Sequence, residues 1–121
     1  MPSKPPAGSM RTIEGEQVLM RIFIGQTDQW ERRPLYAALL ELFRAKHLAG
    51  ATVLQGIAGF GPDSILKEVH LFRLSQDLPI VIEVVDTPEH LDAVLPDVDR
   101  MMNGGLITME KVRVLRSWRS G

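Results

Sequence analysis

The chain has 121 residues, 45% hydrophobic and 24% charged, with a formal net charge of −1. That is enough chain for one domain with one core; the composition favours neither a disordered nor a membrane class, and the charge gives no global drive toward nucleic acid or an anionic membrane surface. There are no cysteines, which removes disulfide staples, thiolate metal sites and a cysteine nucleophile together.

The opening stretch MPSKPPAGSM lacks the apolar region of a secretory signal. Residues 1–16 therefore read as a disordered N-terminal arm or an expression remnant, and residues 17–118 as the domain. No apolar run approaches the roughly 18 residues of a membrane span, so the expected compartment is cytoplasmic.

Val18 to Ile24 (VLMRIFI) is apolar except for Arg21 and stops at Gly25. A run without alternation predicts a central strand buried on both faces. From Pro34 to Leu48, Leu35, Ala38, Leu39, Leu42 and Phe43 recur at helical spacing, which predicts one apolar helix face, with Pro34 in the first turn and Gly50 as the stop. Ala51 to Ile57 has strand composition but runs into Gly56, Gly59 and Gly61, too many glycines for a strand to continue unbent.

Glu68 to Leu74 alternates, and Ile80 to Val85 is rich in β-branched residues, with a Ser75–Pro79 turn between them. This reads either as two strands or as one loop followed by a strand. Thr87-Pro88-Glu89 is a helix start: Thr87 caps free N–H groups, Pro88 presets φ and Glu89 favours the positive helix end. The second helix carries Leu91, Val94, Leu95, Val98, Met101 and Met102 inward, with a kink or break expected at Pro96. Asn103-Gly104-Gly105 ends it, and Lys111 to Arg116 alternates as the last strand.

The order β-α-β, β-α-β predicts an α+β, ferredoxin-like split βαβ (βαββαβ) sandwich: a four-stranded antiparallel sheet with two helices on one face. Two helices cannot cover both faces of apolar central strands. The uncovered face is thus expected to be buried by self-association in a closed ring.

Gly56-Ile57-Ala58-Gly59-Phe60-Gly61-Pro62 lets backbone N–H groups approach an anion or an adenine-type ring without a Cβ in the way. It matches neither a Walker A loop nor a dinucleotide fingerprint, and a bulge with a turn accounts for it equally well. Gly104-Gly105-Leu106-Ile107-Thr108 is a second candidate backbone nest, or simply a helix stop. Arg113 and Arg116 fall on opposite faces of a regular last strand with Arg119 beyond, so at most two of them converge on one anion, and surface solvation is the simpler account of each.

His47, His70 and His90 have no metal-motif spacing, so no metal or cofactor is expected. Ser64 and Ser75 have no evident base nearby, and no catalytic constellation is visible. Glu83 interrupts an apolar strand and is expected to pair with Arg21, while Asp86 ends that strand. Trp30 and Trp118 read as edge-packing residues, since the basic groove that nucleic-acid binding needs is missing.

Several separated motifs occur in order: RIFIG (Arg21 to Gly25), PLY (Pro34 to Tyr36), AGATVLQGIAGFG (Ala49 to Gly61), LSQDLPIVIEVVD (Leu74 to Asp86) and GGLIT (Gly104 to Thr108). Over residues 17–116 the chain resembles the family known as domain of unknown function 190, which looks like a branch of the PII-like signalling proteins. The resemblance implies a ferredoxin-like subunit, a homotrimer and small-molecule sites in the clefts between subunits. Phe60 to Asp77 would correspond to the effector-contacting loop of PII-like proteins, and Gly104 to Thr108 to their phosphate-contacting glycine loop. Where that loop carries a lysine after its glycine, this chain has Leu106, and its only tyrosine, Tyr36, lies on the first helix rather than in the effector loop.

The expectation from the sequence is accordingly a PII-like trimeric regulator, not an enzyme. It would bind a small-molecule effector of the adenine-nucleotide class through Gly56, Gly59, Phe60, Gly61, Gly104, Gly105, Leu106, Thr108, Arg113 and Arg116. The alternative is a ligand-free adaptor docking on a membrane transporter or channel, such as a fluoride-channel-type protein, a partner that the family resemblance implies.

Overall fold

The computed structural model describes residues 13–61 and 77–118 of the chain. In order, the elements are β1 (Gly15–Gly25), a two-residue hairpin of β2 (Gln29–Trp30) and β3 (Arg33–Pro34), α1 (Leu35–Ala45), β4 (Thr52–Gln55), β5 (Pro79–Asp86), α2 (Pro88–Met101) and β6 (Leu106–Val114). The main sheet has the order β4-β5-β1-β6 with every neighbouring pair antiparallel. Two split βαβ halves interleaved in this way make the ferredoxin-like α+β sandwich, with β1 and β5 central. The alternating segment from Glu68 to Leu74 lies outside the described residues.

The continuous apolar runs of β1 and β5 resolve into alternation. Met20, Ile22, Ile24, Ile80, Ile82 and Val84 point to the helices and are buried, whereas Phe23, Val81 and Val85 on the other face are only half-buried. Leu35, Ala38, Leu39 and Phe43 of α1 and Leu91, Val94, Val98 and Met101 of α2 close the core. In the single chain Leu19 is the apolar exception on that second face, being buried. The helices cover one face and the second stays half-open.

Pro34 sits at the N-cap of α1 with ψ 130°, one residue before the helix. Its other end stops at His47, not Gly50: His47 has φ 59°, and its N–H donates to Arg44 O at 3.1 Å while Leu48 N–H donates to Phe43 O at 3.1 Å. This is the paired closure of a left-handed helix stop, which glycine usually provides. At the start of α2, Thr87 Oγ1 accepts from His90 N at 3.1 Å, as the Thr-Pro-Glu signal predicts. The helix runs through Pro96 without dividing.

The last strand begins five residues earlier than its alternation suggests. Gly104 (φ 96°) and Gly105 (φ 97°) turn the chain so sharply that Leu106 already pairs with Phe23. The hairpin of β2 and β3 has no glycine. Its turn residues Glu31 (φ 48°) and Arg32 (φ 68°) both adopt the left-handed region that such tight turns require.

Candidate functional site

One end of the sheet gathers the candidate loops. There β1 ends at Gly25, β4 runs into Gly56, β5 begins at Pro79 and β6 begins at Leu106. Gly56 N–H donates to Pro79 O at 2.7 Å, and Gln26 N–H to Leu78 O at 2.8 Å. Asp28 Oδ2 accepts from Gly25 N at 2.9 Å, Asp77 Oδ1 accepts from Thr27 N at 3.2 Å, and Gln55 Nε2 donates to Gln26 Oε1 at 2.9 Å. Side chains that flank the glycines thus hold this end by capping its backbone.

Two glycines here are required by close approach. A Cβ at Gly56 would lie 2.7 Å from Pro79 Cγ, and one at Gly105 would lie 2.6 Å from Phe23 O and 2.8 Å from Met102 Cε. Gly59 tolerates more, with Pro79 Cγ at 3.1 Å, and Gly61 meets nothing. Gly56 is thus a close-packing glycine first, which favours the bulge-and-turn account at that position. Ile57 and Phe60 project into solvent, 93% and 82% exposed. Most of the Phe60–Asp77 loop, including Ser64, His70 and Ser75, lies outside the described residues.

The two glycine segments share an end of the sheet but not an edge. β4 and β6 are the opposite edge strands, and β5 and β1 between them separate the segments by about 14 Å at ordinary strand spacing. Leu106 and Thr108 are residues of β6, not of a loop; Leu106 is 56% exposed and Thr108 pairs with Arg21. Arg113 pairs with Glu16 at the other end of β6, about 23 Å along the strand from Leu106. Arg116 lies past the strand with its guanidinium 6.0 Å from the Trp118 ring centre. Within one chain, neither arginine is brought to the glycine segments.

The expected Arg21–Glu83 pair is present, with Arg21 Nε donating to Glu83 Oε2 at 2.9 Å. Sequence reasoning missed its third member: Arg21 Nη1 donates to Glu110 Oε1 at 2.6 Å. Glu110 becomes visible only once β6 is known to start at Leu106, because that start sets the register opposite Leu19. The two carboxylates, Glu83 foremost, raise the already high pKa of the Arg21 guanidinium. All three side chains lie on the sheet face away from the helices.

Asp86 is fully buried at the end of β5. Its Oδ2 accepts from Ala49 N at 2.8 Å and its Oδ1 from Thr87 N at 2.6 Å, with His90 Nδ1 3.6 Å away. It joins the α1–β4 connection to the start of α2, which is a structural role. A shallow groove lined by Leu40, Phe43, Arg44, Leu48, Gly50 and Ala51 opens near the C-terminal end of α1, away from the glycine segments. Among the described residues no three His, Cys, Asp or Glu side chains gather as a metal site, and no helix is long and apolar enough to cross a membrane.

Comparison with known proteins finds relatives that match along nearly their whole length. A UPF0166 protein of Aquifex aeolicus is 38% identical over 88% of this chain and 98% of its own length. A second UPF0166 protein from that organism is 36% identical over 82% and 97%. The UPF0166 protein of Methanocaldococcus jannaschii is 32% identical over 81% of this chain and 91% of its own. The family model DUF190, described as "Uncharacterized ACR, COG1993", matches residues 17–114. The chain belongs to this PII-like family.

Proposed function

We propose that the chain is the subunit of a trimeric PII-like regulator that binds a small effector, of the adenine-nucleotide class, in clefts between subunits, and that it is a binding protein and not an enzyme. The observation that carries this reading is the placement of the two glycine segments. Gly56 to Gly61 and Gly104 to Gly105 lie at one end of the sheet but on opposite edges. A ring of subunits that sets the β4 edge of one copy beside the β6 edge of the next brings both segments to one cleft, which a single chain cannot do.

Glycine backbone then faces a ligand from both sides without Cβ cover, apart from Gly56, whose N–H is spent on Pro79 O. Phe60, at the border of the cleft, couples occupancy to the loop that follows it, and the switch is driven by the difference in ligand affinity between loop states. The test is isothermal titration and thermal melting against a panel of adenine and cyclic nucleotides. Heat and a melting shift with at least one of them are expected; silence from the whole panel at millimolar ligand refutes the ligand class.

A second reading is favoured by Ile57 and Phe60, two large apolar side chains held almost wholly in solvent. Such a pair suits a protein contact, and an adaptor docking on a membrane transporter or channel would use it. Co-sedimentation with membranes that is abolished by Ile57→Ser with Phe60→Ser, while melting stays unchanged, would favour this reading over the sensor.

A further inference from the structure

The net charge of −1 conceals a local excess. Residues 111–121 hold four of the 14 basic residues and none of the 15 acidic ones. Lys111 and Arg113 stand two apart on β6, hence on one face of the strand, and Arg116 follows beyond its end. All three are exposed. Among the described residues none of them has an ion-pair partner, not even Arg113 in Glu16, its neighbour in the ladder. Their charges are unspent.

Two large apolar side chains lie among these charges. Leu115 is 75% and Trp118 80% exposed, and the Arg116 guanidinium sits 6.0 Å from the Trp118 ring centre, a cation–π distance. Indole rings settle at the headgroup level of a bilayer, and Lys and Arg are drawn to its anionic headgroups. A protein contact is served less well. Leu115 and Trp118 together can bury roughly 300–400 Å², against roughly 800 Å² per partner in a stable interface. A bilayer asks for no matching shape, and each basic residue near its anionic surface strengthens binding about fivefold.

We propose that Lys111 to Trp118 is a membrane-surface contact: Leu115 and Trp118 enter the headgroup region of an anionic bilayer while Lys111, Arg113 and Arg116 face its phosphates. The segment lies at the end of β6 remote from Gly105, and the contact stands whether or not an effector binds at the glycine segments.

The test is flotation of the full chain with protein-free vesicles, of phosphatidylcholine alone and of equal parts phosphatidylcholine and phosphatidylglycerol. Binding to the anionic vesicles is at least about tenfold tighter than to the neutral ones and weakens as salt rises. Arg113→Gln with Arg116→Gln weakens it about tenfold or more, and Trp118→Ser weakens it severalfold with the salt dependence kept. Tryptophan emission shifts to the blue on binding in wild type and not in Trp118→Phe, whose remaining Trp30 packs against the core. The substituted side chains are exposed, and circular dichroism with melting checks that each variant folds as wild type does. Ile57→Ser with Phe60→Ser floats like wild type, which separates this contact from docking on a membrane protein. Wild type that does not float with anionic vesicles, Arg113, Arg116 and Trp118 variants that bind like wild type, or loss of binding in the Ile57 and Phe60 variant overturns the proposal. Polyglutamate bound as tightly as the vesicles at equal salt shows charge acting alone and overturns the assignment to a bilayer.

Discussion

Replacing Asp86 tests whether one buried carboxylate holds two connections together. The side chain is fully buried, and each of its oxygens accepts a backbone N–H, from Ala49 at 2.8 Å and Thr87 at 2.6 Å. Asp86→Ala strands both donors. An unsatisfied buried N–H costs about 1–3 kcal/mol; Thr87 is half-buried and Ala49 exposed, so water recovers part of this and the two together cost roughly 2–4 kcal/mol. The expected loss is about 3 kcal/mol. Asp86→Asn keeps one acceptor oxygen and turns an NH₂ toward the other donor, which should cost about 1–2 kcal/mol. Urea unfolding followed by tryptophan fluorescence suits the measurement, since Trp30 packs against the core. Protein concentration must be held fixed, because assembly adds to apparent stability. A loss for Asp86→Ala under about 0.5 kcal/mol, the level of an ordinary surface change, refutes the account.

Three further substitutions test single features. Gly105→Ala puts a Cβ 2.6 Å from Phe23 O at φ 97° and should cost about 2 kcal/mol, seen as a melting point lower by about 10 °C; a fall of less than about 2 °C contradicts the close approach. Thr87→Ala removes the acceptor for His90 N and should lose about 1 kcal/mol by urea unfolding, whereas Thr87→Ser should lose far less. Arg100, through its bond to Asp97, and then Lys46 hold the Asp97 carboxyl below its ordinary pKa. A lowered folded-state pKa means that the stabilisation is present above the ordinary carboxylate range and is lost as pH falls through the folded value. Carboxyl-carbon NMR titration should place Asp97 low in the wild type and higher in Arg100→Ala; equal midpoints refute the assignment.

How much of this was legible depended on whether a signal was local. Both helices were, because Leu35 to Phe43 and Leu91 to Met102 repeat at helical spacing and Thr87-Pro88-Glu89 carries its own capping chemistry. The Arg21–Glu83 pair was legible because charges inside apolar strands need partners. Glu110 was not, since its place depends on a strand start set by two left-handed glycines that read equally well as a loop. The β2–β3 hairpin was hidden because Glu31-Arg32 lacks the Asn-Gly or Asp-Gly signature of its turn. Apolar runs in β1 and β5, set against only two helices, disclosed that one face is left without helix cover, but not which residues alternate onto it. The separation of Arg113 from the glycine segments within one chain was hidden for a similar reason: distance along β6 is invisible until the strand's start is fixed.

That geometry carries a consequence for any effector. Gly56 and Gly105 stand on opposite edges of one sheet, about 14 Å apart, too far for one phosphate or one ring to touch both within a chain. One phosphate or one ring held by both segments at once therefore needs assembled subunits, and its binding and assembly are then linked. In the proposed reading, apparent ligand affinity falls as the protein is diluted through its own association range, and saturating ligand shifts that range to lower concentration. Titrations at several protein concentrations, paired with sedimentation at the same values, measure both sides of the linkage. Affinity independent of dilution while subunits separate would place the ligand on a single chain, and the two glycine segments would then have separate roles.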